Sequence, residues 1–104
     1  MRTFTVNEKE HNAKPFDFNM VCDFEDMGVS LKAGGTATTR CYLALCSGMS
    51  LEEAGKELSE HFVKFENFDS INEAMAKEME ESDFFQTLVK GVVSKLKEKK
   101  SGKK

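Results

Sequence analysis

Two segments with apolar residues at helical spacing are separated by a short break at residues 48–53. Gly48 is a typical helix terminator, because glycine adopts left-handed backbone angles without strain. Ser50 and Glu53 then form a capping box, in which the serine hydroxyl accepts a hydrogen bond from the Glu53 amide and the glutamate carboxylate reaches back. The pattern predicts a helical hairpin, with one helix ending at Gly48 and the next beginning at Ser50.

Similar start and stop signals divide the rest of the chain into helical segments. Asp17 is placed to cap a first helix that Gly28 terminates, and Ser70-Ile-Asn-Glu73 is a second capping box. Ser82 is placed to cap a last helix. The apolar positions of that helix recur at helical spacing: Phe85, Leu88, Val89, Val92, Val93 and Leu96.

The three middle helices each have a set of small or apolar residues that predicts a buried face. Thr36 or a neighbouring threonine is the candidate N-cap of the second helix, and Gly55 allows a close approach to the third. The predicted buried faces are Ala37, Cys41, Ala44 and Leu45 in the second helix, Leu51, Ala54, Leu58 and Phe62 in the third, and Ile71, Ala74, Met75 and Met79 in the fourth.

The N-terminal segment predicts a small β-hairpin. Residues 2–6 (RTFTV) favour extended backbone, the polar stretch at 7–14 predicts a loop, and residues 14–16 are the expected second strand because Pro15 disfavours helix before it. The predicted fold is therefore α+β and mostly α, with four to five helices around one core and a short N-terminal β-hairpin. Residues 1–94 are expected to form a single domain, and residues 95–104 a disordered basic tail.

Charge is unevenly distributed along the 104 residues. The net charge is −3, and residues 95–104 carry six lysines and one glutamate, or +5, so residues 1–94 carry −8. An acidic body disfavours nucleic-acid binding, because phosphate contacts need clustered Lys and Arg. No apolar run approaches the roughly 20 residues of a membrane span, and the N-terminus lacks the apolar stretch of a secretory signal. The sequence predicts a cytoplasmic protein with reduced thiols at Cys22, Cys41 and Cys46.

The sequence contains few residue combinations that could carry out a reaction. His11 and His61 are far apart, and His61 with Glu57 four residues earlier is interpreted as a pair on a helix surface. The sequence has no nucleophile elbow, no HExxH motif and no phosphate-binding loop. Cys41 and Cys46 lie about 140° apart around a helix, which does not suit a shared metal ion. We expect no enzymatic activity, no cofactor and no metal.

A helix-turn-helix regulator that binds nucleic acid is the alternative from a different class. Residues 36–62, together with the lysine-rich tail, would supply the DNA-binding unit. The exposed side of the third helix would then need Arg, Lys, Asn or Gln for bases and phosphates. Its charged residues are instead mainly acidic: Glu52, Glu53, Glu57 and Glu60. Such a face would be repelled by a duplex, so the hairpin is interpreted as a protein-packing unit.

Several segments together resemble the tail assembly chaperones of long-tailed bacteriophages. They are KPFDFNMVCDFEDMGVSL, the Tyr-Leu-Ala-Leu stretch of the second helix, MSLEEAGKELSEHF and INEAMAKEMEESDFFQTL. The resemblance covers roughly residues 3–90, and its motifs are patterns of helix capping and packing without a catalytic signature. A structural tail component, such as a connector at a tail end, is a further alternative for a small helical phage or prophage protein.

The resemblance implies a non-enzymatic role in tail assembly. Such chaperones bind the tape-measure protein, keep it soluble while tail-tube subunits polymerise around it, and are absent from the finished virion. Six Met and nine Phe supply adaptable apolar contacts for such a client. The candidate contact residues are Met20, Phe24 and Met27 of the first helix, and Phe65 and Phe68 in a following loop. A chaperone that coats a long client in many copies is also compatible with self-association.

The resemblance also implies a translational frameshift near the C-terminus. In this family a longer product often arises at the end of the first reading frame. Residues 102–104 (GKK) are compatible with the codons GGA AAA AAG, which contain a slippery heptamer. If the codons match, this chain is the shorter product.

Overall fold

The computed structural model describes residues 2–31 and 35–90. Two strands are followed by five helices, which confirms the predicted α+β, mostly helical fold with an N-terminal hairpin. Residues 91–104, which include Val92, Val93 and Leu96 of the predicted last helix and the basic tail, lie outside the described residues. The elements are β1 Thr3–Val6, β2 Lys9–Asn12, α1 Phe18–Asp26, α2 Thr36–Ser47, α3 Leu51–Phe65, α4 Asp69–Glu81 and α5, residues 83–90.

The hairpin is tighter than predicted. Strand β2 is antiparallel to β1 in the register Val6↔Lys9, so the second strand lies at 9–12 and the prediction of 14–16 is wrong. The two turn residues, Asn7 and Glu8, both have positive φ, 52° and 65°. Asparagine tolerates such angles and supports two-residue hairpin turns. The sequence does not predict strand β2, because its residues are polar and face mainly away from the core.

Four of the predicted helix boundaries are confirmed in detail. Asp17 accepts a hydrogen bond from the Met20 amide at 2.9 Å, and Gly28 and Gly48 adopt left-handed φ values of 69° and 81°. Ser50 forms the complete capping box with Glu53. These signals are local, since each cap needs only residues within one helical turn, and for this reason the sequence predicts them well.

Two caps differ from the prediction, and one is confirmed. Helix α2 has Gly35 rather than Thr36 at its N-cap, without a side-chain bond. Ser70 lies inside the first turn of α4, and its hydroxyl accepts from the Thr5 amide at 2.9 Å, so it joins α4 to the hairpin. Ser82 caps α5 as predicted: its hydroxyl accepts from the Phe85 amide and also donates to the Phe16 carbonyl.

The core is organised around Tyr42. Its ring is fully buried, stacks on Phe16 with a centroid distance of 5.2 Å and lies 5.9 Å from Phe4. Its hydroxyl donates to the Lys14 carbonyl at 2.6 Å, which satisfies the polar end of an otherwise apolar side chain. Burial raises the pKa of this hydroxyl well above its usual range. The segment between β2 and α1 is thereby held against α2.

The buried faces of α2 and α4 show how far helical spacing alone predicts packing. The four predicted α4 residues are all buried. In α2, Cys41 and Ala44 are buried as predicted and Leu45 is half-buried, whereas Ala37 is exposed. Thr38 and Thr39 are buried instead, because their hydroxyls find acceptors: the Ser30 carbonyl at 2.7 Å and the Asn72 side chain at 2.6 Å.

Candidate protein-binding surface

The predicted contact residues of α1 differ in their accessibility. Met20 and Phe24 are buried in the core, and Phe24 lies 5.8 Å from the ring of Phe16. They are therefore unavailable to a partner that docks on this conformation, because the α1 face to which they belong packs inward. Met27 is 41% exposed at the end of the helix. Its sulfur lies 3.3 Å from Sγ of the buried Cys41, so the side chain is partly fixed by its contact with α2.

Phe65 and Phe68 lie in an exposed group of aromatic rings where α3 ends and α4 begins. Phe65 is the last residue of α3 rather than part of a loop, and Phe68 is the N-cap of α4. Phe62 joins them, with its ring 5.1 Å from that of Phe68. Phe62 and Phe65 are 47% and 44% exposed, and Val63 between them is more exposed still. We call Phe62, Phe65 and Phe68 the aromatic cluster.

Phe62 and His61 exchange the positions predicted for them. Phe62 was expected on the buried stripe of α3 and His61 on its surface, but His61 is only 6% exposed. The buried α3 residues are Ala54, Leu58 and His61, spaced by four and three positions. The prediction is wrong because it considers apolar character alone, which places Phe62 in the core and His61 on the surface. The histidine is buried because the hairpin supplies a donor for it.

His61 connects the aromatic cluster to the hairpin turn. Its Nδ1 accepts a hydrogen bond from the backbone N–H of Asn7 at 2.8 Å. Since that N–H can only donate, Nδ1 carries no proton in this arrangement. The ring also lies 4.7 Å from that of Phe65 and 6.3 Å from that of Phe68. The left-handed turn residue and the cluster are therefore supported by one buried imidazole.

Polar side chains surround this junction. The Asn7 side chain donates to Glu57 and Glu60 and accepts from the ammonium of Lys64 at 3.0 Å. Hydrogen bonds from Lys9 and Asn7 lower the pKa of Glu57. These contacts bind the hairpin to α3, so the aromatic cluster lies on a rigid support rather than on a free loop.

His11 lies in the same hairpin but has a different environment. Its ring packs 5.5 Å from Phe4, and its Nε2 atom is buried without a hydrogen-bond partner among the described residues. Burial lowers the pKa of this imidazole, because a charged ring would be poorly solvated there. It forms no part of the aromatic cluster.

A groove between α2 and α3 leads to the aromatic cluster. Its volume is about 330 Å³, and its lining consists of Thr36, Ala37, Thr39 and Arg40 from α2, Gly55, Leu58 and Ser59 from α3, and Phe68. Gly55, Ser59 and Phe62 are spaced by four and three residues, so they form one line along α3. Phe68 belongs both to the groove and to the cluster, which makes the two surfaces continuous.

Two charged residues near the groove and the aromatic cluster, Arg40 and Glu66, are exposed. Arg40 lies over Gly55, since a Cβ built at Gly55 would be 3.5 Å from Arg40 Cδ. Glu66 is the C-cap of α3 and has a left-handed φ of 60°. Within residues 2–31 and 35–90 neither Arg40 nor Glu66 forms a salt bridge. Both charges are thus available to a partner.

A second exposed apolar group lies where α1 and α5 begin. The rings of Phe18 and Phe84 meet edge to face with a centroid distance of 5.7 Å, and Phe18 is the more exposed of the two. Phe85 is inserted next to Phe16, whereas Leu88 and Val89, one turn later, are exposed. The predicted α5 stripe therefore enters the core only at Phe85 within the part of the chain that is described.

The three cysteines are free, Cys41 buried and Cys22 and Cys46 half-buried. Burial raises the pKa of Cys41 to about 11, so its thiol is protonated near neutral pH. Among the described residues, no group of three or more His, Cys, Asp or Glu side chains is placed to hold a metal ion. In the same residues, no helix combines the length and the apolar character needed to cross a bilayer.

Comparison with known proteins identifies no relative. No protein-family model matches this chain, and no curated protein or solved structure matches it significantly.

Proposed function

We propose that this protein is a tail assembly chaperone of a long-tailed bacteriophage or prophage, which acts by binding other proteins and not by catalysis. Its clients are the tape-measure protein and the tail-tube protein. It works in the host cytoplasm and is absent from the mature virion. The observation that carries the proposal is the aromatic cluster, in which Phe62 and Phe65 expose nearly half of their surface on a rigid support.

The energetics of the cluster favour a role in binding. Exposing large aromatic side chains to water costs free energy, at roughly 25 cal/mol per Å² of apolar surface. Grouped apolar surface on a small domain is typical of interaction sites. Since Phe62 and Phe65 are three positions apart on α3, they lie on one side of the helix and a partner could cover them together. The predicted contact residues Phe65 and Phe68 belong to this surface, with Met27 as a separate exposed position.

A tape-measure protein is a suitable client on chemical grounds. It is a long helical chain with apolar stripes that would aggregate if left uncovered. A groove that ends in an aromatic cluster is the kind of surface that accepts an amphipathic helix. The acidic body, at −8 for residues 1–94, adds solubility to the complex through charge. Self-association remains part of the proposal.

The proposal is tested by co-expressing the full chain with a tape-measure fragment from the same phage. We expect the fragment to stay in the supernatant and to co-purify with the chaperone. Phe65→Ala should reduce co-purification, whereas Phe18→Ala is the matched control, because it removes an equally large exposed ring elsewhere. A fragment that precipitates equally with and without the chain would contradict the proposal.

Two further measurements separate the proposal from its rivals. A gel-shift with sequence-specific binding at moderate salt would favour the nucleic-acid-binding regulator, although the charged side chains of α3 are mainly acidic. Detection of the chain in purified virions would favour a structural tail component. The nucleotide sequence of the last codons tests the frameshift, because codons without a slippery heptamer would remove it.

A further inference from the structure

We infer that the contact between the β1–β2 hairpin and α3 is acid-sensitive: it is closed while His11 and His61 are both neutral and opens when they take up protons. These are the two histidines of the chain, and both lie where the hairpin packs against the rest of the protein. Opening also removes support from the aromatic cluster, because the His61 ring contacts Phe65 and Phe68. The inference concerns the conformation of the chain itself and holds for any client.

The closed hairpin needs His61 in its neutral form. Nδ1 of His61 accepts from the N–H of Asn7 at 2.8 Å, and Asn7 is buried in the turn with a positive φ of 52°. An imidazolium carries a hydrogen on both ring nitrogens, so protonation would place two donors opposite each other and remove this bond. His61 is itself buried, so water can replace the lost partner only if the turn moves away from α3.

His11 needs the neutral form for a different reason. It is paired with Phe4 across the two strands, on the face of the hairpin that covers the core, and its Nε2 is buried without a partner among the described residues. Burial lowers the pKa of this imidazole; Lys9 acts in the same direction and Glu57 in the opposite one. In an open hairpin the ring reaches water and its pKa returns to about 6.5. The closed state is therefore fully favoured above about pH 6.5 and loses this advantage as the pH falls.

The charged groups around the two rings stabilise the closed hairpin but do not bond to the rings. They are Glu8 and Lys9 of the hairpin, Glu57, Glu60 and Lys64 of α3, and Asp69 in the first turn of α4. The charged residue of α2, Arg40, lies over Gly55. Within residues 2–31 and 35–90 none of these side chains forms a hydrogen bond with either imidazole, because those of the hairpin and α3 bond to one another and to Asn7. A charged imidazole thus gains no hydrogen bond in the closed arrangement.

The test is amide hydrogen exchange of the full chain, followed by NMR from about pH 7.5 to about pH 5, the range in which an imidazole changes its charge. Rates are corrected for the intrinsic pH dependence of exchange. The reporter is the Asn7 N–H, since its acceptor is His61. Well below pH 6.5 we expect its opening equilibrium constant to increase about a hundredfold per pH unit, tenfold for each proton taken up. The amides of α4 should remain protected, because the helical core stays folded.

Two variants remove the titration and retain most of the packing. His61→Asn still offers a carbonyl oxygen to the Asn7 N–H, and His11→Phe keeps a ring beside Phe4. Each should reduce the dependence to about tenfold per pH unit, and the double variant should abolish it. Circular dichroism near neutral pH checks that the variants are folded.

Equal corrected protection of the Asn7 amide at the two ends of the pH range would overturn the inference, as would an unchanged dependence in the double variant. Loss of protection in α4 in step with Asn7 would also overturn it, since acid would then unfold the whole domain. If the variants do not fold, the ring resonances of the wild type give the answer. An Asn7 amide that stays protected while both rings are charged excludes the inference, whereas loss of its protection together with ring protonation supports it.

Discussion

The hydrogen bond between His61 and the hairpin turn allows a quantitative prediction. His61→Phe keeps a ring of similar shape but removes the Nδ1 atom that accepts from the Asn7 amide. Asn7 is itself buried, so its N–H is left without a partner. A buried donor that loses its acceptor costs about 1–3 kcal/mol. We therefore expect a loss of about 2 kcal/mol in the free energy of unfolding.

Two further substitutions separate the hydrogen bond from the packing. His61→Ala removes both, and we expect a loss of about 3 kcal/mol, since truncation of a buried ring also leaves a cavity. His61→Asn places a carbonyl oxygen near the position of Nδ1, so it should retain part of the hydrogen bond and lose about 1 kcal/mol. The order of stability should be wild type, then Asn, Phe and Ala.

The assay is urea unfolding followed by circular dichroism, supported by thermal melts. For a domain of this size 1 kcal/mol corresponds to a shift of about 4–8 °C in Tm. Phe62→Ala is the neighbouring control. Because Phe62 is half exposed, we expect it to lose only about 1 kcal/mol or less. If His61→Phe were as stable as the wild type, the assigned role of the hydrogen bond would be refuted.

Three shorter predictions concern other positions. Gly48→Ala should destabilise the protein by about 1 kcal/mol, because Gly48 has a φ of 81° that alanine adopts with strain. Gly55→Ala should stabilise it by about 0.5–1 kcal/mol in the same unfolding assay, because Gly55 is inside a helix and the added Cβ meets only Arg40 Cδ at an ordinary 3.5 Å. His11 has a lowered pKa in the fold, so stability should be complete above about pH 6.5 and decrease as the pH falls below it. His11→Phe should flatten that part of the stability profile, and an unchanged slope would contradict the assignment.

The local signals in the sequence predicted the helices well. Asp17, Ser50 and Ser82 cap the helices that they were expected to cap, and Gly28 and Gly48 terminate theirs. Each signal depends on groups within about one helical turn, so no knowledge of the fold is needed to interpret it. The buried face of α4 was predicted for a related reason, since its apolar residues follow the helical period without a polar competitor.

The errors occurred where a polar group is satisfied by a residue distant in the chain. Ser70 resembles an N-cap in the sequence, but its hydroxyl is used by the Thr5 amide, 65 positions away. His61 resembles a surface residue until the hairpin supplies the Asn7 amide, 54 positions away. Strand β2 was missed because it is stabilised by its pairing with β1 and not by the β-propensity of its own residues.

The candidate site was predicted only in part for the same reason. Phe65 and Phe68 could be proposed from their position between helices, whereas Phe62 was assigned to the core and Met20 and Phe24 to a surface. Spacing along a helix identifies an apolar face, but it does not determine which of two faces the neighbouring elements cover.

Most of the helix boundaries can be predicted from the sequence, because a cap depends on residues within about one turn, and the uneven distribution of charge is visible there directly. Which side of α3 faces water, and which apolar residues of α1 are buried, follow only from the packing of the elements. The physical reason is that burial depends on distant partners: His61 is buried because the hairpin donates to it, and Phe62 is exposed because its helix is rotated to make that contact.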